Sequence, residues 1–130
     1  MVINVSLKKE YIPTWNDNQT SDKPVKVYHK APTMALKDKL IPKPKIKMVV
    51  DGDGAKGGET EMVVDNSGLV LEMVTSIENL EVYVDGKNIP ITTAKELYGD
   101  NAPTELSGLA DELGKYFQEI LTNREINTKN

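Results

Sequence analysis

The 130-residue sequence contains no cysteine and a single histidine, His29. Without cysteine there is no disulfide framework, no thiolate zinc site and no catalytic thiol. One histidine is too few for a two-histidine metal site or a zinc triad, and no Ser-His-Asp triad can be assigned. We interpret His29, which lies on a predicted strand, as an ordinary surface or half-buried imidazole.

Long apolar runs are also missing. No eighteen apolar residues stand together, and the first residues, "MVINVSLKKEY", lack the basic region and apolar run of a signal peptide. We therefore expect no membrane association and a protein that is made and used in a cytoplasm. A chain of this length buries about two thirds of its unfolded surface, which suffices for a single domain over residues 1–130.

Catalytic and ligand-binding motifs are lacking as well. The adjacent carboxylates Asp111 and Glu112 point in different directions on a predicted helix, so they do not form an acid–base pair. The stretch "DGDGAKGGE" fits neither an EF-hand, nor a phosphate loop, nor a dinucleotide fingerprint. We expect it to be a flexible loop, 51–59, between strands at 46–50 and 60–64. The sequence thus predicts no enzyme activity, no cofactor and no metal site.

Charge is divided unevenly along the chain. Residues 1–50 carry ten lysines and four acids, a balance of +6, whereas residues 51–130 carry six basic and sixteen acidic residues, a balance of −10. Two interpretations stay open. Either both parts are solvated faces of one domain, or they form surfaces that meet a charged neighbour such as a second copy.

The first half is predicted to be rich in strands. In "VINVSLKKEYI" apolar and polar residues alternate, with Ile3, Val5 and Leu7 on one face, as in a half-buried strand. Turn-forming residues predict a loop at 13–24. The elements expected after it are a strand in 25–30, a short helix capped by Thr33 and an edge strand in 41–50.

The segment "NSGLVLEMVTSIENL" has apolar residues at helical spacing: Leu69, Val70, Met73, Val74, Ile77 and Leu80. We predict an amphipathic helix that is capped by Asn66 or Ser67. The alternative is a strand through "GLVLEMV", because several of its residues are β-branched.

The next stretch, "EVYVDGKNIP", predicts a β-hairpin over residues 80–91. Counting outward from a two-residue turn at Asp85 and Gly86 places Val82 opposite Ile89. Apolar residues then share one face, so the turn chemistry and the apolar pattern agree on the register.

A short helix is predicted directly after the hairpin. Thr93 and Glu96 have the spacing of a capping box, and Gly99 is expected to end the helix in a left-handed conformation.

The final element, "PTELSGLADELGKYFQEILTNRE", is predicted to be an amphipathic helix. Its apolar stripe consists of Leu106, Leu109, Ala110, Leu113, Tyr116, Phe117, Ile120 and Leu121. Packing in the core of the chain is the first use of such a stripe, but the stripe is wider than one core contact requires, so we expect part of it to bind a partner. The predicted partner-binding residues are Trp15, Leu113, Tyr116, Phe117, Ile120 and Leu121, with the aromatic pair as anchors.

Together these elements predict an α+β fold. A small antiparallel sheet with the hairpin at 80–91 packs against two or three helices, including the C-terminal amphipathic helix. The chain divides into a β-rich basic part, 1–64, a mixed helix–hairpin–helix acidic part, 65–122, and a frayed polar tail, 123–130.

A lysine-rich segment, 23–47, offers an alternative function as a small nucleic-acid-associated binding protein. It contains Lys23, Lys26, Lys30, Lys37, Lys39, Lys43, Lys45 and Lys47, with one acid, Asp38. Phosphates favour such a segment, but it lacks the arginine that binds phosphate with two parallel hydrogen bonds. We therefore rank this function second and expect no nucleic acid binding at physiological ionic strength.

Three stretches carry a family resemblance: "YIPTWNDN", "MVTSIENLEVYVDGKNI" and "TELSGLADELGKYFQEIL" with its polar tail. In order and texture they resemble small tail-module proteins of tailed bacteriophages and prophages, including tail assembly chaperones. The resemblance spans most of the chain, although the β-rich first half differs from the mostly helical chaperones. It implies a non-catalytic morphogenesis protein that binds other tail or virion proteins in the bacterial host cytoplasm, or stays in the virion as a structural component. Self-association is a further expectation.

Overall fold

A computed structural model of the chain describes residues 1–4, 6, 8–42, 45–51, 54–61 and 64–122. Its strands and α-helices are β1 (Lys8–Tyr11), β2 (Lys26–Lys30), α1 (Met34–Leu40), β3 (Lys45–Asp51), β4 (Gly54–Glu61), α2 (Asn66–Met73), β5 (Val74–Glu78), β6 (Glu81–Val84), β7 (Lys87–Pro90), α3 (Ala94–Leu97) and α4 (Ser107–Leu121). Short 3-10 helices span Trp15–Thr20 and Thr104–Leu106. The fold is α+β, as predicted, and the predicted frayed tail, 123–130, lies outside the described residues.

The described strands form one three-stranded sheet, in the order β1-β2-β5, and two two-stranded sheets, β3–β4 and β6–β7. All the pairings are antiparallel. Strand β5 comes from the acidic part of the chain and β2 from the basic part, so the central sheet joins the two parts. The predicted hairpin at 80–91 forms a sheet of its own.

Strand β1 is shorter than the sequence pattern predicts. Its pairing with β2 starts at Lys8, which lies opposite Lys30. Before it, Val2 and Ile3 are 84% and 76% exposed. The reason is that β2 ends at Lys30 and the chain then turns into α1, so the described part of the sheet offers no partner to these residues. Val5 and Leu7 lie outside the described residues.

The flexible loop predicted at 51–59 is not observed. Most of this glycine-rich segment belongs to β4, which pairs with β3 so that Lys45 lies opposite Glu61 and Lys47 opposite Glu59. The prediction was wrong because glycine weakens a strand without preventing it. The ladder needs only backbone N–H and C=O groups, which glycine has.

The helix predicted from Asn66 to Leu80 is correct in its first half only. Helix α2 ends at Met73 and β5 begins at Val74. A β-bulge explains the error, because His29 of β2 lies opposite Val74 whereas the next pair joins Tyr28 to Ser76. The extra residue brings Val74 and Ile77 to the buried face at a spacing of three, which imitates a helix. The N-cap is Asp65, not Asn66 or Ser67.

The hairpin forms with the predicted register. Val82 lies opposite Ile89. Asp85 and Gly86 both have positive φ, as a type I′ turn requires. Tyr83 is on the outer face and is 78% exposed. Local sequence information was sufficient here because the turn and the alternation of residues specify the same pairing.

Of the predicted helix caps, those of α1 and α3 are confirmed at their N-termini, whereas the caps predicted for the start of α2 and the end of α3 are not. Thr33 caps α1 by accepting a hydrogen bond from the backbone N–H of Leu36, and Thr93 and Glu96 form the capping box of α3. Gly99 does not adopt a left-handed conformation. Its N–H instead bonds to the carbonyl of Glu96, which closes the helix with a tight turn.

The core forms where β2 and β5 meet α2 and α4. Side chains that are almost completely buried include Val27, Leu69, Val70, Met73, Leu109, Leu113 and Phe117. Helices α2 and α4 approach closely at Gly114, where a Cβ atom would stand 2.7 Å from the Cβ of Asn66. Glycine therefore allows the contact between the two helices.

Candidate interaction site

Most of the apolar stripe predicted to bind a partner is used inside the chain. Leu113, Phe117 and Leu121 are buried in the core. Phe117 packs edge-on against His29, with ring centroids 5.1 Å apart and an interplanar angle of 71°. The expectation that these three residues are available to a partner is therefore wrong. The stripe is wide because both α2 and side chains of the sheet, such as His29, contact it.

The other predicted partner residues are partly buried. Tyr116 stacks on Tyr11 with centroids 3.8 Å apart and rings 13° from parallel. Trp15 lies over Gly108, where a Cβ atom would meet the indole at 3.0 Å. Ile120 borders a shallow groove next to α1. Tyr116 and Trp15 thus attach β1 and the following loop to α4.

Glu112 holds this N-terminal region against α4. Its Oε2 accepts hydrogen bonds from the Tyr11 hydroxyl at 2.6 Å and from the Thr14 N–H at 2.7 Å, and its Oε1 accepts one from the Trp15 N–H at 2.8 Å. Hydrogen bonds to an ionised acceptor are roughly twice as strong as neutral ones. We call Tyr11, Thr14, Trp15 and Glu112 the Glu112 clasp. Burial, with the neighbouring carboxylate of Glu112 as the next cause, raises the pKa of Tyr11 well above its usual value.

His29 is buried, and both of its ring nitrogens have partners. Nδ1 lies 2.8 Å from the carbonyl oxygen of Lys30, and Nε2 lies 3.0 Å from the Tyr116 hydroxyl. Because a carbonyl only accepts, we assign the proton to Nδ1, and Nε2 of the neutral ring accepts from Tyr116. Burial lowers the pKa of His29, and the charge of Lys9 adds to this effect, whereas the Lys30 carbonyl opposes it. The interpretation of His29 as a surface or half-buried residue is corrected, since the ring is part of the core.

The tyrosine hydroxyls of this region form hydrogen bonds within the chain. The hydroxyl of Tyr116 bonds to His29 and that of Tyr11 to Glu112. Burial also raises the pKa of Tyr116, so both tyrosines are protonated donors at neutral pH. In the described part of the chain, no group of three His, Asp or Glu side chains is arranged to hold a metal ion. No helix among those residues is long and apolar enough to cross a membrane.

Sequence reasoning did not find the Glu112 clasp or the buried His29. One local signal existed, because Glu112 and Tyr116 are four residues apart and therefore neighbours on a helix surface. Nothing in the sequence links Glu112 to Tyr11, since 101 residues separate them and only the tertiary fold brings them together.

The lysine-rich segment meets acidic residues from the second half of the chain. Lys30 and Lys39 both form ion pairs with Glu72, at 2.7 and 3.1 Å. In the sheet, Lys26 lies opposite Glu78. Exposed pairs of this kind contribute little to stability, but they reduce the positive potential that a phosphate backbone would meet. The charge contrast along the sequence is thus partly cancelled in space.

A shallow groove lies at the N-terminal end of α4. We call it the Tyr98 groove; its apolar lining comes from Leu97, Tyr98, Ala102, Leu106 and Ala110, and its polar lining includes Thr104, Ser107 and Asp111. Tyr98 is 41% exposed. Desolvation raises the pKa of Tyr98, and the carboxylates of Asp111 and Asp65 raise it further. The groove therefore combines an apolar floor with a negative potential.

Searches of protein-family models, of curated proteins and of solved structures each find no match to this chain. The described residues leave several surfaces open to a partner. They include the apolar residues Met1–Ile3, the Tyr98 groove and the outer backbone edges of the β3–β4 sheet.

Proposed function

We propose that this chain is a non-enzymatic morphogenesis protein of a tailed phage or prophage. It binds other tail or virion proteins during assembly in the bacterial host cytoplasm, or remains in the particle as a structural component. The resemblance of three stretches of the sequence to small tail-module proteins supports the phage context. The β3–β4 sheet is the structural observation that supports binding to other proteins.

This two-stranded ribbon contains the two longest strands of the described chain, with seven and eight residues. Within the described residues, β3 and β4 pair only with each other, so each has an open edge of backbone donors and acceptors. An isolated two-stranded hairpin is marginally stable in water, and long open edges pair readily with other chains. A partner that adds a strand or covers a face would stabilise the ribbon.

The register of the ribbon separates charged from apolar positions. Lys45 and Lys47 lie opposite glutamates of β4. Because residues alternate between the faces of a strand, Ile46 and Met48 belong to the other face. Charged and apolar positions therefore alternate along β3, and a protein partner covers the positions of Ile46 and Met48 in this proposal.

The packing of α4 also bears on the proposal. A helix whose apolar stripe is covered by its own chain leaves partner binding to other elements. Among the described residues, strand edges and the exposed N-terminal residues are two of the surfaces left for binding. Assembly by addition of strands uses backbone groups, so it requires no catalytic or ligand-binding residues.

The test is genetic and biochemical. In the phage or prophage that encodes the chain, deletion of its gene is expected to give heads without functional tails. Mass spectrometry of purified particles and of tail intermediates should find the chain in at least one of them, together with other tail proteins. Normal infectious particles after deletion, with the chain absent from every intermediate, would contradict the proposal.

A pair of variants tests the ribbon directly. Replacing Ile46 and Met48 together by Asp is expected to abolish co-purification with tail proteins and to reduce infectivity. The matched control replaces Lys45 and Lys47 by Ser, which changes the same strand on the other face and is expected to retain binding. Equal loss of binding in both double variants would show that the partner does not bind at the positions of Ile46 and Met48.

A further inference from the structure

The N-terminal residues present apolar side chains to solvent. Met1, Val2 and Ile3 are among the most exposed large apolar residues of the described chain. Lys8 and Lys9 follow at the start of β1. This part of the chain thus combines an apolar end with two positive charges. Apolar residues exposed next to each other mark sites of interaction.

The Tyr98 groove has the complementary properties. Its floor is apolar and neither lysine nor arginine lines it, whereas Asp111 does. Asp111 forms no ion pair among the described residues. Asp65, whose charge also acts on Tyr98, caps α2 nearby. A segment that fits this groove has apolar side chains for the floor and positive charges for the rim.

The two surfaces lie at opposite ends of α4. Lys8, at the start of β1, lies opposite Lys30 in the sheet. Pro32, two residues after Lys30, lines a groove together with Leu121, which is at the C-terminal end of α4. The Tyr98 groove contains Leu106, at the N-terminal end. A helix of fifteen residues spans about 22 Å at 1.5 Å per residue. Met1–Ile3 are exposed and do not line the groove of their own chain, so the groove is open to the N-terminal residues of a second molecule.

We propose that residues Met1–Ile3 of one copy dock into the Tyr98 groove of a second copy, in a head-to-tail contact. The apolar side chains cover the floor of the groove, and Lys8 and Lys9 approach the carboxylates of Asp111 and Asp65. Such a contact joins two different surfaces, so it builds a ring if the rotation closes and a filament if it does not. The inference rests on the proposed function in that it takes the chain to be an assembly protein.

Analytical ultracentrifugation of the purified chain, over a range of concentrations at low and high salt, tests this contact. The wild type is expected to self-associate, and more weakly at high salt because the charges are solvent-exposed. Ile3→Asp disables the N-terminal residues and Asp111→Lys disables the groove. Each variant alone is expected to associate at least about tenfold more weakly, which corresponds to about 1.4 kcal/mol.

Mixing the two variants is the decisive measurement. In an equimolar mixture, the Asp111→Lys chain supplies intact N-terminal residues and the Ile3→Asp chain supplies an intact groove. The mixture is therefore expected to form a dimer at a concentration where each component alone stays largely monomeric. Met34→Asp is the matched control, because Met34 is an exposed apolar residue of α1 outside both surfaces, and it should associate like the wild type. Thr104→Lys serves as a second groove variant if Asp111→Lys melts early.

Three results would overturn the contact: a wild type that stays monomeric throughout, variants that associate like the wild type, or a mixture that stays monomeric like its components. These results are separable from failure of the proposed function. A monomeric wild type that still co-purifies with tail proteins rejects the contact alone. A chain that associates through this contact, but is dispensable for tails and found in no intermediate, rejects the phage function alone.

Discussion

Helix α4 and the N-terminal segment are both amphipathic in sequence, but the fold treats them differently. The sheet and α2 cover the apolar stripe of α4, and Leu113 and Phe117 are buried. The alternating pattern of the N-terminal segment continues ahead of β1, where Val2 and Ile3 remain exposed. An amphipathic pattern therefore tells which face is to be buried and not which molecule buries it.

The largest expected effect is on stability, and it distinguishes the buried stripe of α4 from the exposed N-terminal residues. Phe117→Ala removes a buried ring and is expected to lower the free energy of unfolding by about 3 to 5 kcal/mol. Ile3→Ala, at an exposed position, should change it by less than about 0.5 kcal/mol. Urea denaturation of both variants, followed by circular dichroism at a concentration where the chain is monomeric, measures the difference.

Tyr83→Ala serves as a second exposed control on the hairpin. Similar destabilisation by Phe117→Ala and Ile3→Ala would break the comparison, because it would mean that the N-terminal residues are packed in the monomer.

A smaller effect is expected where the two regions meet. Glu112→Gln keeps the shape of the side chain, but its amide group no longer accepts all three hydrogen bonds of the Glu112 clasp. We expect the free energy of unfolding to fall by about 1.5 to 3 kcal/mol, the usual contribution of hydrogen bonds to a charged group. The fluorescence of Trp15, the only tryptophan, should report local loosening of the loop below the main unfolding transition.

The control for this variant is Glu119→Gln, a carboxylate on the same helix with no hydrogen bond to β1 or the following loop among the described contacts. If both variants lose the same free energy of unfolding, the cause is the changed charge of the helix and not the Glu112 clasp.

The smallest expected effect is the pH dependence of stability that His29, between the sheet and α4, contributes. Its pKa is lowered in the folded chain, so the unfolded chain takes up a proton first as the pH falls. His29 leaves stability unchanged above about pH 6.5, the usual pKa of the side chain, and lowers it progressively below that value. Urea denaturation between neutral and mildly acidic pH measures how steeply the free energy of unfolding changes with pH.

Removing the imidazole provides the comparison for this slope. His29→Gln is expected to be less stable at neutral pH but to show a shallower dependence in the same range. Carboxylates with lowered pKa values, such as Glu72 and Asp65, contribute at lower pH and act equally in both proteins. If the free energy of unfolding changes equally with pH in both proteins, His29 is not the titrating group.

The sequence by itself determined the elements whose information is local. The hairpin register, the Thr33 cap and the capping box of α3 depend on residues within a few positions of each other, and all three are confirmed. The existence of α4 and its apolar stripe were likewise predictable, because helical periodicity is a local property.

Only the tertiary structure decided what those elements contact. The bulge between β2 and β5 gave Val74 and Ile77 a helical spacing inside a strand, and pairing with β3 made a strand of the glycine-rich segment predicted as a loop. Glu112 meets Tyr11 across 101 residues. Ladder pairing, burial and long-range hydrogen bonds depend on which surfaces the whole chain brings together, and a pattern read along one segment does not contain that information.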